Sequence, residues 1–396
     1  MKKVVCRFCL LAGIAIFSVA CSNRISDKEF LIEGKISGIE DGIVINLSRW
    51  DENVGKTLAI DTVRNGRFSI KAEALPEPER LTITVRGNDF PPMFLYVWVA
   101  PGEKVKIQGT GKIHPLWNVK SSIALQKEEN RYIKNKRDLI AENSRIQVER
   151  SKAFEKIMAA SSRDEAAPFS KIVDSLDMMS KPLSVKETYS DVDILEKTDI
   201  SPVWLNKMRL STQILTYYAK DDENLRTKVE KLYDRMSEED KNTLIGYQIT
   251  SELFPPAIVG VDDDMADTDL IDMSGNTKRL SDYLGKYLLL DFWSSGCGPC
   301  IMALPEMKEI SENYNENLTI ISITLDSDTR WKEAMDTHDM PWVNLRDPKS
   351  FGGLSANYGV RGIPYYVMVS PEGKVVDKWG GYGQGSLKRK LSEIVK

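Results

Sequence analysis

The chain reads as three fold types in series: a small β-sandwich or barrel at the N-terminal end, a helical middle region, and an α/β domain at the C-terminal end. Three observations carry this reading. Short alternating strands between turns that bear Gly and Pro fill residues 29–112. Charged stretches with few helix breakers dominate residues 118–246, and buried-looking apolar runs alternate with helical stretches over 255–396. A length of 396 residues also exceeds one ordinary core and suits two or three domains. The composition, 42% hydrophobic and 28% charged, excludes wholesale disorder and a polytopic membrane protein. With 54 Lys and Arg against 58 Asp and Glu, the net charge of -4 argues against a nucleic-acid partner.

The N-terminus starts with Lys2, Lys3 and Arg7, followed by an apolar run from Phe8 to Ala20. About thirteen residues fall short of the ~20 that span a bilayer as a helix. Ser18-Val19-Ala20-Cys21 then resembles the end of a bacterial lipoprotein signal, although Ser18 departs from the Leu usual three places before the cysteine. The resemblance implies a signal peptide over 1–20, acylation of Cys21, a polar tether over 21–28, and a lipid anchor facing the periplasm of a bacterial envelope. An ordinary secretory peptide with a chance cysteine is the alternative. Cleavage would leave 51 basic residues against 58 acidic ones and a charge of -7, and would remove Cys6 and Cys9 despite their CxxC spacing. With lipid on Cys21, Cys297 and Cys300 are the two thiols left in an oxidising compartment, and they have only each other.

Within 29–112, Leu31 to Gly38 alternates, Ile43 to Leu47 follows an Asp41-Gly42 turn, and Asn65-Gly66 predicts a tight hairpin between Asp61-Thr62-Val63 and Arg67-Phe68-Ser69-Ile70. Leu81 to Val85, Phe94 to Val99 and Val105 to Ile107 supply further strands. Phe94, Tyr96 and Trp98 beside Phe90-Pro91-Pro92 are either a binding face or an apolar core strand next to a loop. In the middle region, Lys127 to Ser151 reads as helix. Ser201-Pro202 caps a second helix with Leu205, Met208 and Leu215 on its apolar face, and Ser237 with Asp240 forms a capping box. Its charge runs are solvated helix faces or a partner-docking surface.

From 255, Leu270 to Gly275 reads as an early hairpin and Leu280 to Lys286 as a short helix. Tyr287 to Trp293, with one acid in its middle, reads as a buried central strand. A helix from Ile301 to Tyr314, a strand from Leu318 to Leu325, a helix from Trp331 to Met340, a strand from Tyr365 to Ser370 and a last helix from Leu387 to Val395 complete the domain.

The chemistry concentrates at Cys297-Gly298-Pro299-Cys300. A zinc site needs about four ligands, and His114 and His338 have no ligand-like spacing to this pair, so neither a metal nor another cofactor is expected. The pair follows a buried strand and opens a helix. Cys297 at the helix N-terminus would have its thiolate favoured by the dipole and free N–H groups, and Cys300 would lie one turn further in. That asymmetry suits a nucleophile and a resolving thiol.

"LLLDFWSSGCGPC" with "GVRGIP" resembles thioredoxin, and "LIDMSGNTKRLSDYLGKYLLLDFW" resembles the TlpA/ResA-like thiol-disulfide oxidoreductases of the envelope. "IEGKISG", "AIDTVRNGRFSI" and "APGEKVKIQG" resemble the β-domain of unknown function that precedes such modules. The resemblance implies a thioredoxin-like fold over 255–396 and disulfide exchange in which Cys297 attacks and Cys300 resolves. It implies proton transfer assisted by Asp291, and a cis-proline loop at Ile363-Pro364 that meets the substrate. The partners so implied are disulfide-containing envelope proteins and a membrane thiol donor. Gly296 replaces the tryptophan usual before the first cysteine, Ala303 stands where many members have glutamate, and Tyr365 replaces a threonine; these departures bear on specificity and redox tuning. Two other readings are a thioredoxin-fold peroxidase and a non-catalytic envelope-binding protein. The peroxidase pattern PxxxTxxC, aligned on Cys297, finds Leu290 at the proline place and Ser294 at the threonine place.

Overall fold

The computed structural model describes residues 25–51 and 54–395. The expected signal segment and Cys21 lie outside the described residues. Eight strands open the fold: β1 Glu29–Ser37, β2 Val44–Asp51, β3 Val54–Thr62, β4 Arg67–Glu73, β5 Glu79–Arg86, β6 Leu95–Val99, β7 Lys104–Thr110 and β8 Asn118–Lys120. They form two four-stranded sheets, ordered β4-β1-β7-β8 and β3-β2-β5-β6. Both sheets point alternate residues, such as Phe30, Ile32 and Val105 from one and Ile45, Leu47 and Leu81 from the other, into one core. The domain is a sandwich.

Two features depart from the sequence reading. The Asn65-Gly66 turn forms as expected, with both residues at positive φ and paired Arg64–Arg67 backbone bonds, yet β3 and β4 then enter different sheets. The turn is a corner between layers, and Gly66 is needed there because a Cβ would lie 2.5 Å from the Ile36 carbonyl oxygen. The sandwich also extends past residue 112, since β8 pairs with β7 inside the span read as helical. Three residues with one buried side chain are too short for a pattern to announce.

The middle region contains α1 Ala124–Asn135, α2 Arg137–Ala159, α3 Arg163–Leu195, α4 Pro202–Tyr218, α5 Glu223–Tyr233, α6 Glu238–Lys241 and α7 Leu244–Leu253. The stretch read as one helix over 127–151 breaks at Lys136, whose φ of -131° is not helical. Its ammonium is held 2.7 Å from Asp191 on α3, a tertiary pull that local composition does not encode. Ser201 caps α4 through the Trp204 N–H, and the Ser237–Asp240 capping box starts α6. α7 runs past residue 246, the end of the expected helical span, because no breaker precedes Pro255.

The third domain comprises β9 Leu270–Asp272, β10 Thr277–Lys278, β11 Tyr287–Trp293, α8 Gly298–Asn313, β12 Leu318–Thr324, α9 Asp328–Thr337, β13 Val343–Arg346, α10 Leu354–Asn357, β14 Tyr365–Val369, β15 Val375–Gly380 and α11 Ser386–Ile394. Its sheet runs β10-β9-β13-β12-β11-β14-β15. β11, β12 and β13 are parallel, and β14 returns antiparallel against β11. β13 was not read from the sequence; it is short and carries the polar Asn344. Leu288, Leu290 and Phe292 of β11 face one core, whereas Leu289 meets Ala303, Met307 and Leu387 on the side of α8 and α11. By the two-residue period of a strand, Asp291 and Trp293 share the α8 side.

The domains pack directly on one another. Trp98 of β6 is buried in the helical core, and its backbone N–H donates to Gln126 at 2.7 Å. The turn at Gly352 presses on α7 so closely that a Cβ there would lie 2.7 Å from backbone atoms of Tyr247.

Candidate active site

Cys297 and Cys300 form a disulfide with sulfurs 2.10 Å apart. The motif bridges the end of β11 and the start of α8. Cys297 is the N-cap of α8, and its Sγ accepts from the Cys300 N–H at 3.2 Å, while Pro299 lies in the first turn, where a missing N–H costs no helical bond. Cys297 is half-buried and Cys300 is 3% exposed. The outer sulfur is therefore the more accessible of the two. Cys300 sits in an apolar cluster with Trp293, Trp331 and Met340, and Cys297 and Ile363 pack against that cluster. The Ile363–Pro364 bond is cis.

The segment between β11 and the helix is fixed by a carboxylate the sequence reading did not single out. Asp326, buried at the end of β12, accepts from the Ser294 hydroxyl at 2.6 Å and the Ser295 N–H at 2.7 Å. The Gly296 N–H in turn donates to the Ser294 hydroxyl at 3.3 Å, and the Cys297 N–H to the Ser294 carbonyl at 3.0 Å. Arg330 reaches the Ser295 hydroxyl from α9. Each bond sets the approach of the chain to Cys297.

Asp291 is 2% exposed. Burial pushes its carboxyl up to about 7, against the opposing effect of one hydrogen bond from Ser322. Ser322 is its register partner on β12, and the hydroxyl donates to the carboxylate at 2.7 Å while accepting from the Trp342 indole N–H at 2.8 Å. Trp342 also packs against the cysteine cluster, so this polar chain ends beside the disulfide. A lone hydroxyl in the apolar run Ile320-Ile321-Ser322-Ile323 was the available sequence signal.

The departures at 296 and 303 have different consequences. Gly296 is exposed, leaving no bulky side chain beside Cys297. Ala303 is fully buried against the strand, where a glutamate would lose its water. Glu306, one turn on, is committed elsewhere: it accepts from the Tyr382 hydroxyl and from the Gly385 and Lys388 N–H groups. Gly385 is the N-cap of α11 and has no side chain to cap with, so Glu306 supplies that cap from α8.

Residues 261–378 match the AhpC/TSA family. The chain is similar to the thioredoxin-like protein YneN of Bacillus subtilis (strain 168), 29% identical over 115 residues that make up 28% of this chain and 66% of that protein. It is also similar to the thiol-disulfide oxidoreductase ResA of Bacillus thuringiensis subsp. konkukian (strain 97-27), 29% identical over 127 residues, 32% of this chain and 70% of that one. The thioredoxin domain of a thiol-disulfide oxidoreductase from Bacteroides vulgatus, a solved structure, is 26% identical, with a TM-score of 0.32 and coverage of 35% of this chain and 99% of that one. The match over 261–378, the strand order around β11 and the disulfide at the start of α8 make the C-terminal domain thioredoxin-like, and it is similar to thiol-disulfide oxidoreductases.

Proposed function

We propose that the protein reduces disulfides of envelope proteins through Cys297 and Cys300, anchored to a membrane by lipid on Cys21. The observation that carries this is the disulfide at the N-terminus of α8, with its outer sulfur half-buried and its inner sulfur enclosed. In the reduced protein the Cys297 thiolate attacks a client disulfide, forming a mixed disulfide and releasing one client thiolate. Cys300, deprotonated with Asp291 as the proton acceptor, then attacks the Cys297 sulfur. The client leaves with two thiols, and the protein is left oxidised as Cys297–Cys300. A dithiol donor in the membrane returns two electrons for the next cycle. Client segments would be met at the Ile363-Pro364 loop.

The direction follows from the intervening pair. Neither Gly298 nor Pro299 brings a cation or a side-chain donor to Cys297, so its thiolate gains little beyond the helix terminus. A modest thiolate keeps the disulfide from being strongly oxidising. A peroxidase reading has weaker support: Leu290 is buried in β11 instead of a proline, and the Ser294 hydroxyl already donates to Asp326.

The test is insulin reduction with dithiothreitol. The wild-type protein should accelerate it and Cys297→Ala should abolish the acceleration; equal rates would end the reading. Equilibration with glutathione should give a potential on the reducing side of about -150 mV, and a more positive value would reverse the direction. Cys21→Ala should release the protein from the membrane fraction.

A further inference from the structure

One cleft of the molecule lies away from the disulfide. A cleft of about 610 Å³ opens where the three domains meet, walled by the sandwich, by α4 and α7, and by Phe351, Val360 and Arg361 of the redox domain. Its walls are aromatic and cationic. Trp50 and Phe94 of the sandwich and Tyr217 of α4 are 43%, 38% and 51% exposed there, unusual for side chains of that size. Three guanidinium groups, Arg80, Arg209 and Arg361, share the cleft with one carboxylate, Glu252, whose own pKa burial raises.

Two of those cations lack good partners. Arg80 stacks on Tyr96 at 4.3 Å and donates to Asn206, but its Nη1 is buried without a hydrogen-bond acceptor. The carboxylate nearest to it, Glu129, stands 3.9 Å away and is held by Lys207 at 2.6 Å. Arg209 bonds the neutral Gln213. Burial and the neighbouring Arg80 charge both pull the Arg209 pKa below the usual guanidinium range. A converging pair of under-compensated guanidiniums is a binding site for carboxylates.

One wall leads to the redox centre. Val360 and Arg361 run directly into Gly362, Ile363 and the cis Pro364, and Ile363 packs on the cluster that holds both cysteines. Among the described residues, the backbone groups of Arg361, Gly362 and Ile363 make no hydrogen bonds to other backbone. Three unpaired residues in a row are an edge that an extended peptide can join.

We propose that this cleft grips an acidic, aromatic-bearing segment of the client polypeptide next to the disulfide being reduced. The inference rests on the proposed reductase reading for what happens at the cysteines, but the grip itself is separable from the chemistry. The sandwich and the helices thereby become a selector for clients, placing carboxylates on Arg80 and Arg209, with Arg361 at the exposed rim, and an aromatic ring against Trp50 and Phe94.

The experiment uses the full chain in its oxidised form and a labelled eight-residue peptide with four glutamates, one tryptophan and no cysteine. Fluorescence anisotropy should show saturable binding at least tenfold tighter than for the same peptide with lysines. The preference should shrink severalfold in R361Q, an exposed position, nearly vanish in R209Q, and fall as salt rises. Equal affinity for both peptides, or a preference untouched by both substitutions, would overturn the proposal. Displacement of the peptide by succinate at equal carboxylate concentration would also overturn it, because a small anion would then be the better occupant. A second measurement places the same flanks on a disulfide-bearing peptide. Binding without any reduction would remove the reductase reading and leave the grip, whereas reduction with no preference for the acidic flank would remove the grip and leave the reductase.

Discussion

Glu129 in the helical region and Asp291 in the redox domain are both carboxylates 1–2% exposed to solvent, and they have opposite fates. Burial would push the Glu129 carboxyl up, but Lys207 at 2.6 Å and Arg80 outweigh it and hold the group below the ordinary range. Asp291 has one neutral hydroxyl for a partner, and burial wins. A buried acid beside cations is a permanent charge that ties helices and sandwich together. A buried acid without them is a group that picks up and releases a proton near neutrality, as the proposed resolving step at Cys300 would use.

The largest expected effect breaks the first half of that contrast. Glu129→Gln takes from the buried Lys207 and the part-buried Arg80 the carboxylate they share, leaving Asp191 near Lys207, and should destabilise the protein by about 3–5 kcal/mol at pH 7 in urea unfolding. Because the folded pKa of Glu129 is depressed, its stabilisation is present above the unfolded value and disappears as pH falls through the folded one. The cost of the substitution should shrink accordingly in acid.

Asp291→Asn should do the reverse. A raised folded pKa means that ionisation opposes folding, so wild-type stability declines as pH rises from about 4 to 7. The amide should leave stability unchanged at pH 4 and add on the order of 2–4 kcal/mol at pH 8. The same variant should slow release of the mixed disulfide and remove the inflection near pH 7 from the rate profile.

Ser322→Ala sharpens the comparison with a smaller effect. It removes the one interaction that favours the Asp291 carboxylate and strands the Trp342 indole N–H. The inflection in the rate profile should move up by about one pH unit or less, with a stability loss of roughly 1 kcal/mol. An inflection that stays in place would show that Asp291 is not the titrating group.

What the sequence disclosed divides along the same line. Tyr287 to Trp293 announced a central strand because all its neighbours are apolar, and Cys297 to Cys300 announced the site because the spacing is short and local. Asp291 was visible as the one acid in that strand. Ser322 and Asp326 were not, because each acts across 31 or 32 residues of chain, through strand register or a loop, and a single hydroxyl or acid carries no period. The Asn65-Gly66 turn was legible as a turn, but which layer the next strand joins depends on Ile36, nearly thirty residues earlier. The face that the sequence left open divides in the structure: Trp98 is buried in the helical core, while the exposed Phe94 and the half-buried Tyr96 line the cleft.

The carboxylate of Glu306 also has a bearing on the order of assembly. The two cysteines are three residues apart and can pair as soon as the first turn of α8 forms. Glu306 waits 79 and 82 residues for the Gly385 and Lys388 groups that satisfy it. Closing that larger loop is slower and comes only when α11 has docked on α8. A folding chain can therefore carry a redox pair already competent to oxidise on a helix whose outer anchor is missing, and α11 is the element that locks it.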